Sequence, residues 1–289
     1  MSKSPNSPPK ITTAIFRLKK KRGDPLTMLT AYDFLTARAV DRSGVDSILV
    51  GDSLGMVMLG YENTIPVTMD DMLHHCRAVS RGASRALLIG DMPFMSYQVS
   101  RSEAVRNAGR FLQEAGMDAV KLEGGAERLD VIKGILDAGI PILGHLGLTP
   151  QSVHQLGGFK AQGTNAGAAR KLLDEAQLLD EAGCFGIVLE SVPDRIAEYI
   201  TDQISIPTIG IGAGAGCDGQ VLVTHDLLGL FDKFTPKFVR QYAQLHQDID
   251  VALRSYKDEV ESGEFPQAEH SFTISDKEWK LFLDRASES

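Results

Sequence analysis

Short apolar runs alternate with longer amphipathic segments along most of the chain. Eight runs of three to five mostly apolar residues have the character of buried parallel strands. They cover residues 27–31, 47–50, 86–89, 119–122, 141–143, 186–189, 207–210 and 220–223. Segments with helical spacing lie between them, among them 102–115, 127–138, 166–182 and 193–203. Eight strand–helix units favour a closed (β/α)8 barrel, the TIM barrel of the α/β class, over an open doubly wound sheet.

The two ends of the chain fall outside this alternation. Residues 1–10 are rich in Ser and Pro, whereas residues 11–21 have helical spacing and predict an N-terminal helix before the barrel. Beyond residue 236 the chain is more helical and charged, which predicts a C-terminal helical extension. We predict a disordered N-terminus at 1–10, a single barrel domain over 11–272 and a partly helical tail over 273–289. Trp279 and Phe282 give that tail an apolar face, and packing on the barrel, packing on another subunit and a loosely held end all remain open.

Composition and charge narrow the function class. The 289 residues carry a formal charge of -8, which argues against binding a nucleic acid, because no basic stripe is left to neutralise phosphates. The one basic cluster, at residues 19–22, is interpreted as the solvated end of a helix. Three scattered cysteines without a CxxC motif indicate neither disulfides nor structural zinc. Without a signal-type or bilayer-spanning apolar segment, we expect a cytoplasmic protein with no membrane partner.

Carboxylates stand at the ends of three predicted strands. Asp52, Asp91 and Glu123 each close an apolar run. Because the C-terminal ends of parallel barrel strands share one mouth, we expect these acids to converge. Oxygen ligands without histidine or thiolate suit Mg2+ or Mn2+ better than zinc, so the pattern predicts one shared metal site. The alternative is that each acid caps the helix that follows it.

Other polar side chains follow the same rule. Lys121 lies two residues before Glu123 and on the same face of the strand, where it would neutralise a substrate carboxylate or form a salt bridge with Glu123 or Asp91. His145 would donate to a ligand oxygen or serve as a hydrogen-bonded wall residue. Glu190 would act as a general base, with helix capping or metal ligation as alternatives.

The first, second and seventh strands add further candidates. Tyr32 and Asp33 follow the first strand and Ser53 follows Asp52. His74 and His75 fall in a predicted helix and are interpreted as structural. The glycine-rich segment at 210–216 lacks the spacing of a dinucleotide or P-loop motif. It leaves open a phosphate site or close approach of the backbone to a flat ligand.

Several longer segments resemble the ketopantoate hydroxymethyltransferase family, over nearly all of residues 27–272. The matching segments are TAYD (30–33), VGDSLGM (50–56), PVT (66–68), DMPF (91–94), VKLEGG (120–125), GHLGLTPQS (144–152), GGFK (157–160), IGIGAG (209–214), DGQ (218–220) and EHSF (269–272). Departures lie at residues 57–60, at 215–217 and in the tail from 273 onward.

The resemblance implies a fold, an activity and a site. It implies a (β/α)8 barrel that assembles into a decamer and uses 5,10-methylenetetrahydrofolate as one-carbon donor for pantothenate synthesis. It places Asp52, Asp91 and Glu123 at the magnesium site, and Asp52, Ser53, Asp91 and Lys121 at the oxo acid. It makes Glu190 the proton acceptor and sets His145 near the substrate. The residues on their own did not indicate folate.

The reaction that this resemblance implies is hydroxymethyl transfer to 3-methyl-2-oxobutanoate. We hypothesise that the oxo acid chelates Mg2+, that Glu190 removes the C3 proton and that a Mg-stabilised enolate attacks the folate methylene carbon, giving ketopantoate. One rival is a magnesium-dependent lyase or mutase of the phosphoenolpyruvate mutase and isocitrate lyase type, although its Lys-Lys-Cys-Gly-type loop is missing here. A second rival is a barrel that only binds an oxo acid or folate.

Overall fold

The computed structural model describes residues 9–287, with the backbone alone for Leu156. Eight parallel strands close into a barrel in sequence order, and β1 pairs with β8 to complete the ring. The strands are β1 (Leu26–Thr30), β2 (Ser47–Val50), β3 (Leu87–Asp91), β4 (Ala119–Glu123), β5 (Ile142–Gly147), β6 (Gly186–Glu190), β7 (Thr208–Ile211) and β8 (Gly219–Leu222). The predicted barrel is therefore confirmed, and each predicted strand overlaps an observed one.

Helices follow the strands around the barrel. In residues 9–242 they are α1 (Thr13–Arg22), α2 (Phe34–Arg42), α3 (Leu54–Val57), α4 (Met69–Gly82), α5 (Arg101–Ala115), α6 (Leu129–Asp137), α7 (Val153–Leu156), α8 (Ala166–Ala182), α9 (Asp194–Gln203) and α10 (Thr224–Leu227). Side-chain caps and left-handed glycines set several of their bounds: Ser100 accepts from Glu103 at the start of α5, and Gly116 ends it at φ 69.

The core has two layers, one inside the strands and one outside. Inside, side chains from alternate strand positions such as Met28, Leu49 and Ile89 form one apolar cluster. Phe16 of α1 belongs to it and packs edge-on against Phe185, 5.7 Å between ring centres. Because Phe185 precedes β6, α1 closes the N-terminal end of the barrel and the opposite mouth stays available for a site.

Charged side chains of α1 tie it to the same N-terminal end. Lys19 lies 2.8 Å from Asp46, and Lys20 lies 2.9 Å from Asp218. The basic cluster at residues 19–22 is therefore only partly solvated, since two of its lysines form ion pairs beside the barrel strands. Before α1, Lys10 donates to the carbonyl of Ala86 at 2.7 Å. Residues 1–8 of the predicted disordered N-terminus lie outside the described residues.

Within the described residues, 243–287 form a second compact unit, distinct from residues 9–242. Its described part contains α11 (Leu245–Ser262) and α12 (Asp276–Ala286), which confirm the predicted C-terminal helical extension. Neither helix has a buried residue. The predicted boundary at residue 272 stays a prediction. Across residues 9–287, no helix combines the length and apolar character that crossing a bilayer requires.

Candidate functional site

A cavity of about 410 Å³ opens at the C-terminal mouth of the barrel. Seven of the residues singled out from the strand ends line it: Asp52, Ser53, Asp91, Lys121, Glu123, His145 and Glu190. Five different strands, β2 to β6, deliver them, because each residue lies on the last strand positions or just beyond. These polar residues are spread over 139 sequence positions, from Asp52 to Glu190, and the fold brings them together in one cavity.

Lys121 and Asp91 form a buried ion pair at the floor of this cavity. The Lys121 ammonium donates to both Asp91 oxygens, at 2.7 and 2.8 Å, while Glu123 lies 4.0 Å away. Desolvation lowers the pKa of Lys121, but the charges of Asp91, Glu123 and Asp52 outweigh it and raise that pKa above its ordinary value. The salt-bridge alternative for Lys121 thus holds for Asp91, and the ammonium stays charged inside the barrel.

Asp52 is buried beside a second acid, and both circumstances disfavour its ionised form. Burial, followed by repulsion from the Asp91 carboxylate, raises the pKa of Asp52 well above its usual range. Its backbone N–H donates to Asp91 at 3.1 Å, so the two acids are close neighbours. A carboxylate held in such a position favours a nearby cation or a proton.

Gln151, to which sequence analysis assigned no role, connects two of the acids. Its side-chain amide donates to Asp52 at 2.9 Å and its backbone N–H donates to Glu123 at 3.0 Å. Tyr97 donates in turn to the Gln151 amide oxygen at 2.6 Å. Gln151 lies in the matching segment 144–152, so that segment was the available signal, but only the fold shows which acids it reaches.

His145 lies between two carboxylates. Its Nδ1 is 3.4 Å from Glu123 and its Nε2 is 3.3 Å from Glu190. Both contacts are within ion-pair range, yet neither has hydrogen-bond geometry, so both ring nitrogens and Glu123 Oε1 are buried without a hydrogen-bond partner. Desolvation and Lys121 lower the pKa of His145, but Glu123 and Glu190 outweigh them and raise it to about 9.

The end of β5 lies unusually close to the backbone of Glu190 at the end of β6. Ser191, the next residue, has a φ of 50, a left-handed conformation that is uncommon outside glycine. Gly147 at the end of β5 has a φ of 93, and a Cβ there would collide with the Glu190 carbonyl oxygen. The Glu190 side chain keeps 18% exposure, so it faces the cavity.

Tyr32 and Asp33, which follow β1, have separate roles. Tyr32 is buried and its hydroxyl pairs with Ser53 at 2.8 Å, which orients Ser53 at the cavity wall. Asp33 instead caps α2, accepting from Leu35 and Thr36. His75 in α4 lies 2.6 Å from the Tyr32 carbonyl oxygen, in agreement with a structural role.

The acids of the mouth are not helix caps. The N-cap positions that follow them are Ser53, Ser100, Gly125 and Pro193, and none is an acid of the set.

In the glycine-rich segment, a Cβ at Gly214 would lie 2.5 Å from Asp194 and one at Gly216 would lie 2.6 Å from Glu198. Those glycines therefore permit close packing against α9.

The donor set suits a hard divalent cation. Asp52, Asp91, Glu123 and Glu190 face Lys121 and His145, so acidic side chains outnumber basic ones in this part of the cavity. Glu123 Oε1 accepts no hydrogen bond and the pKa of Asp52 is raised, so a cation close to these two acids would be stabilised. In the part of the chain that the structure describes, no three such side chains already converge on a single point. Asp91 would need to loosen from Lys121 to take part.

Comparison with known proteins adds independent information. The family described as Ketopantoate hydroxymethyltransferase matches residues 10–268. Two relatives, from Syntrophomonas wolfei and Syntrophus aciditrophicus, are named 3-methyl-2-oxobutanoate hydroxymethyltransferase. The first is 59% identical over 93% of this chain and 97% of the relative. The second is 60% identical over 91% of this chain and 97% of the relative.

A solved structure with the same fold is 2,3-dimethylmalate lyase, described as a member of the PEP mutase/isocitrate lyase superfamily. It has a TM-score of 0.58 at 12% identity and covers 97% of this chain and 98% of its own. At that identity the likeness shows a shared barrel, and the rival lyase or mutase reading gains nothing beyond the fold.

Proposed function

The chain belongs to the ketopantoate hydroxymethyltransferase family and is an enzyme of that kind, and from this premise we propose its full reaction. The enzyme transfers a hydroxymethyl group from 5,10-methylenetetrahydrofolate to 3-methyl-2-oxobutanoate, giving ketopantoate for pantothenate synthesis. The observation that supports this most directly is the meeting of seven polar strand-end residues in one cavity. Two rivals, a lyase and a non-catalytic binder, do not fit the family.

Asp52, Asp91 and Glu123 are the residues that would hold Mg2+. The support for this assignment is the clustering of acidic side chains, the oxygen-only donor set and a Glu123 oxygen that accepts no hydrogen bond. When bound, the ion would act as a Lewis acid that stabilises negative charge on the keto oxygen of the substrate. The Mg2+ ion is therefore part of the proposed function.

The oxo acid brings its own negative charge into the cavity. Lys121, buried and held charged by its acidic neighbours, offsets that carboxylate, and Ser53 offers a hydroxyl from the wall next to Tyr32. His145, protonated at neutral pH by virtue of a pKa of about 9, donates to a substrate oxygen. Asp52 and Asp91 border the same space. In the proposed complex, these contacts orient the acid with its C3–H bond toward Glu190.

Glu190 is the proton acceptor in this scheme. It takes the C3 proton, and the electron pair of that C–H bond becomes the C2–C3 enolate. The enolate carbon then bonds to the methylene carbon of the folate as the first of that carbon's two C–N bonds breaks. Water attacks the same carbon as the second C–N bond breaks and supplies the hydroxyl oxygen of ketopantoate. The two folate nitrogens take up the proton removed from C3 and one proton of the water, which gives tetrahydrofolate. The partial exposure of Glu190 toward the cavity and its contact with His145 support the assignment.

Membership of this family also suggests an assembly state and a cellular compartment for the protein. We expect a homo-oligomer, a decamer by resemblance. Trp279 and Phe282 of α12 are exposed and their rings stack with centres 5.3 Å apart, so they offer an apolar surface to another subunit. Cys76, Cys184 and Cys217 are free, as expected for a reducing, cytoplasmic compartment.

An assay with 3-methyl-2-oxobutanoate, methylenetetrahydrofolate and Mg2+, each omitted in turn, tests the reaction. Ketopantoate formed only with all three present is the expected result. A parallel incubation of the oxo acid in heavy water, without folate, follows deuterium uptake at C3 and tests the enolisation half alone. Ketopantoate formed at the full rate without folate would overturn the proposed donor.

A further inference from the structure

The cavity at the barrel mouth has an upper part that the oxo-acid chemistry leaves unused. Its floor is polar, but its rim is aromatic: Phe159, Phe231, Phe234 and Phe238 line it together with Lys237. A volume of about 410 Å³ is in the range of pockets that hold drug-sized molecules, well beyond a five-carbon acid. The rim therefore has room for a second, larger ligand.

Three of the four aromatic residues at the rim are well exposed. Phe159 is 55% exposed, Phe234 53% and Phe238 38%. Phe231 packs edge-on against Phe234 with ring centres 5.7 Å apart. Rings with open faces at a cavity mouth stack flat heteroaromatic ligands.

Gly212 leaves room for the ring of Phe238 beside the end of β7. Gly212 has a φ of 62, and a Cβ on it would lie 2.8 Å from the Phe238 ring. Only glycine at this position allows the end of β7 and Phe238 to approach so closely. The glycine-rich segment at 210–216 thus supports the aromatic rim, in addition to its packing on α9.

One buried acid in the same cavity has no task so far. Asp226, in α10 just after β8, lines the cavity and is 9% exposed. Within residues 9–287 its carboxylate has neither a hydrogen bond nor an ion pair, and burial raises its pKa to about 6. Its carboxylate is therefore free to accept hydrogen bonds from a ligand in the cavity.

We propose that Asp226 and the aromatic rim of Phe231, Phe234 and Phe238 seat the reduced pterin ring of the folate. This inference rests on the proposed function and names the residues that bind its co-substrate. The 2-amino group and N3–H of a pterin are two parallel donors that match the two oxygens of a carboxylate. Lys237 is exposed at the rim and forms no ion pair with a described residue, so it is available to the glutamate tail.

Binding of tetrahydrofolate to purified variants tests this seat. Asp226→Asn should raise the Kd for tetrahydrofolate about 10-fold or more, because charge-assisted hydrogen bonds are lost. Phe238→Leu should raise it roughly 3- to 10-fold through lost stacking. Asp232→Asn and Tyr199→Leu are matched controls, since both residues are exposed outside the cavity, and their Kd should stay within about 2-fold of wild type.

Two further measurements separate this seat from a general disturbance. All four variants should exchange C3 deuterium of the oxo acid at the wild-type rate without folate. A folate analogue with a methyl group in place of the 2-amino group should bind wild type more weakly, but should bind Asp226→Asn about as well as tetrahydrofolate does.

Three results would overturn the pterin seat. One is an unchanged Kd in Asp226→Asn with normal exchange. The second is loss of exchange in that variant, which would assign Asp226 to the oxo acid. The third is equal discrimination against the analogue in wild type and variant. If the wild-type enzyme did not exchange the C3 hydrogen of the oxo acid at all, that result would count against the proposed function. The Kd values for tetrahydrofolate would still test whether Asp226 and the aromatic rim bind the pterin ring.

Discussion

The imidazole of His145 lies 3.3 Å from the carboxylate of Glu190, across the mouth between neighbouring strands β5 and β6. On its other side the ring is 3.4 Å from Glu123. A single side chain thus lies between the proposed base and one of the proposed metal ligands. Both carboxylates favour the imidazolium, so in the proposed reaction His145 would bring a positive charge close to the substrate.

Replacing the proposed base separates binding from chemistry. Glu190→Gln should lower the rate of C3 deuterium exchange about 100-fold or more, since an amide cannot accept the proton. The Kd for the oxo acid should change only a few-fold. Mass spectrometry of the recovered oxo acid measures the exchange, and Glu198→Gln, outside the cavity, is the control. Exchange at the wild-type rate would remove Glu190 from this role.

Gln151 should act as a positioning residue for the metal acids. In Gln151→Ala, Asp52 loses the donated amide hydrogen bond at 2.9 Å, so the acid is less well oriented. We expect the Mg2+ concentration for half-maximal exchange to rise about 10-fold, as for supporting residues in other metal sites. Gln155→Ala, an exposed change in the next helix, should leave it unaltered. A lower exchange rate with an unchanged Mg2+ requirement would contradict this role.

Asp52 should show opposite effects on stability and on metal response. Its raised pKa means that the ionised acid costs folding free energy at neutral pH, so Asp52→Asn should unfold at a higher temperature than wild type without Mg2+. Adding Mg2+ at about 100 times its Kd should stabilise wild type by about 2.7 kcal/mol. Asp52→Asn should lose most of that gain, whereas Glu62→Gln should keep it. Thermal unfolding with and without Mg2+ measures both, and an equal Mg2+ response in Asp52→Asn would exclude Asp52 as a ligand.

Asp41 offers a pH-dependent test of the scaffold. Burial raises its pKa, but hydrogen bonds from Ala86, Ser84 and Arg85 outweigh burial and lower that pKa. A depressed folded pKa adds stability that is present above the unfolded value of 3.8 and is lost as pH falls through the folded value.

Asp41→Asn should therefore lower the free energy of unfolding by about 2 kcal/mol at pH 7. The difference from wild type should shrink below the unfolded pKa, and urea unfolding at pH 7 and at pH 3 compares the two. A difference that stays constant between those pH values would contradict the linkage. Asp24→Asn, at an exposed acid, is the control.

Periodicity was enough to predict the barrel and the polar strand ends. Apolar runs such as 47–50 pack on both faces of the sheet, and that requirement is local and visible in the chain. Because parallel strands share one C-terminal edge, the meeting of Asp52, Asp91, Glu123 and Glu190 also followed from the strand count. Family resemblance, and not pattern, indicated the substrate and the folate.

Contacts between distant segments were decided only by the tertiary structure. The Gln151 side chain donates a hydrogen bond to Asp52, 99 positions away in sequence. Lys121 donates a hydrogen bond to Asp91 and lies farther from Glu123, although Glu123 is nearer in sequence. Asp226 and Phe238 line the cavity, but the sequence did not indicate this, because nothing in their local pattern differs from an ordinary helix or loop. Local sequence determined which side chains reach the mouth of the barrel, and closure of the ring decided their partners, since side-chain contacts depend on the distances that folding imposes between strands.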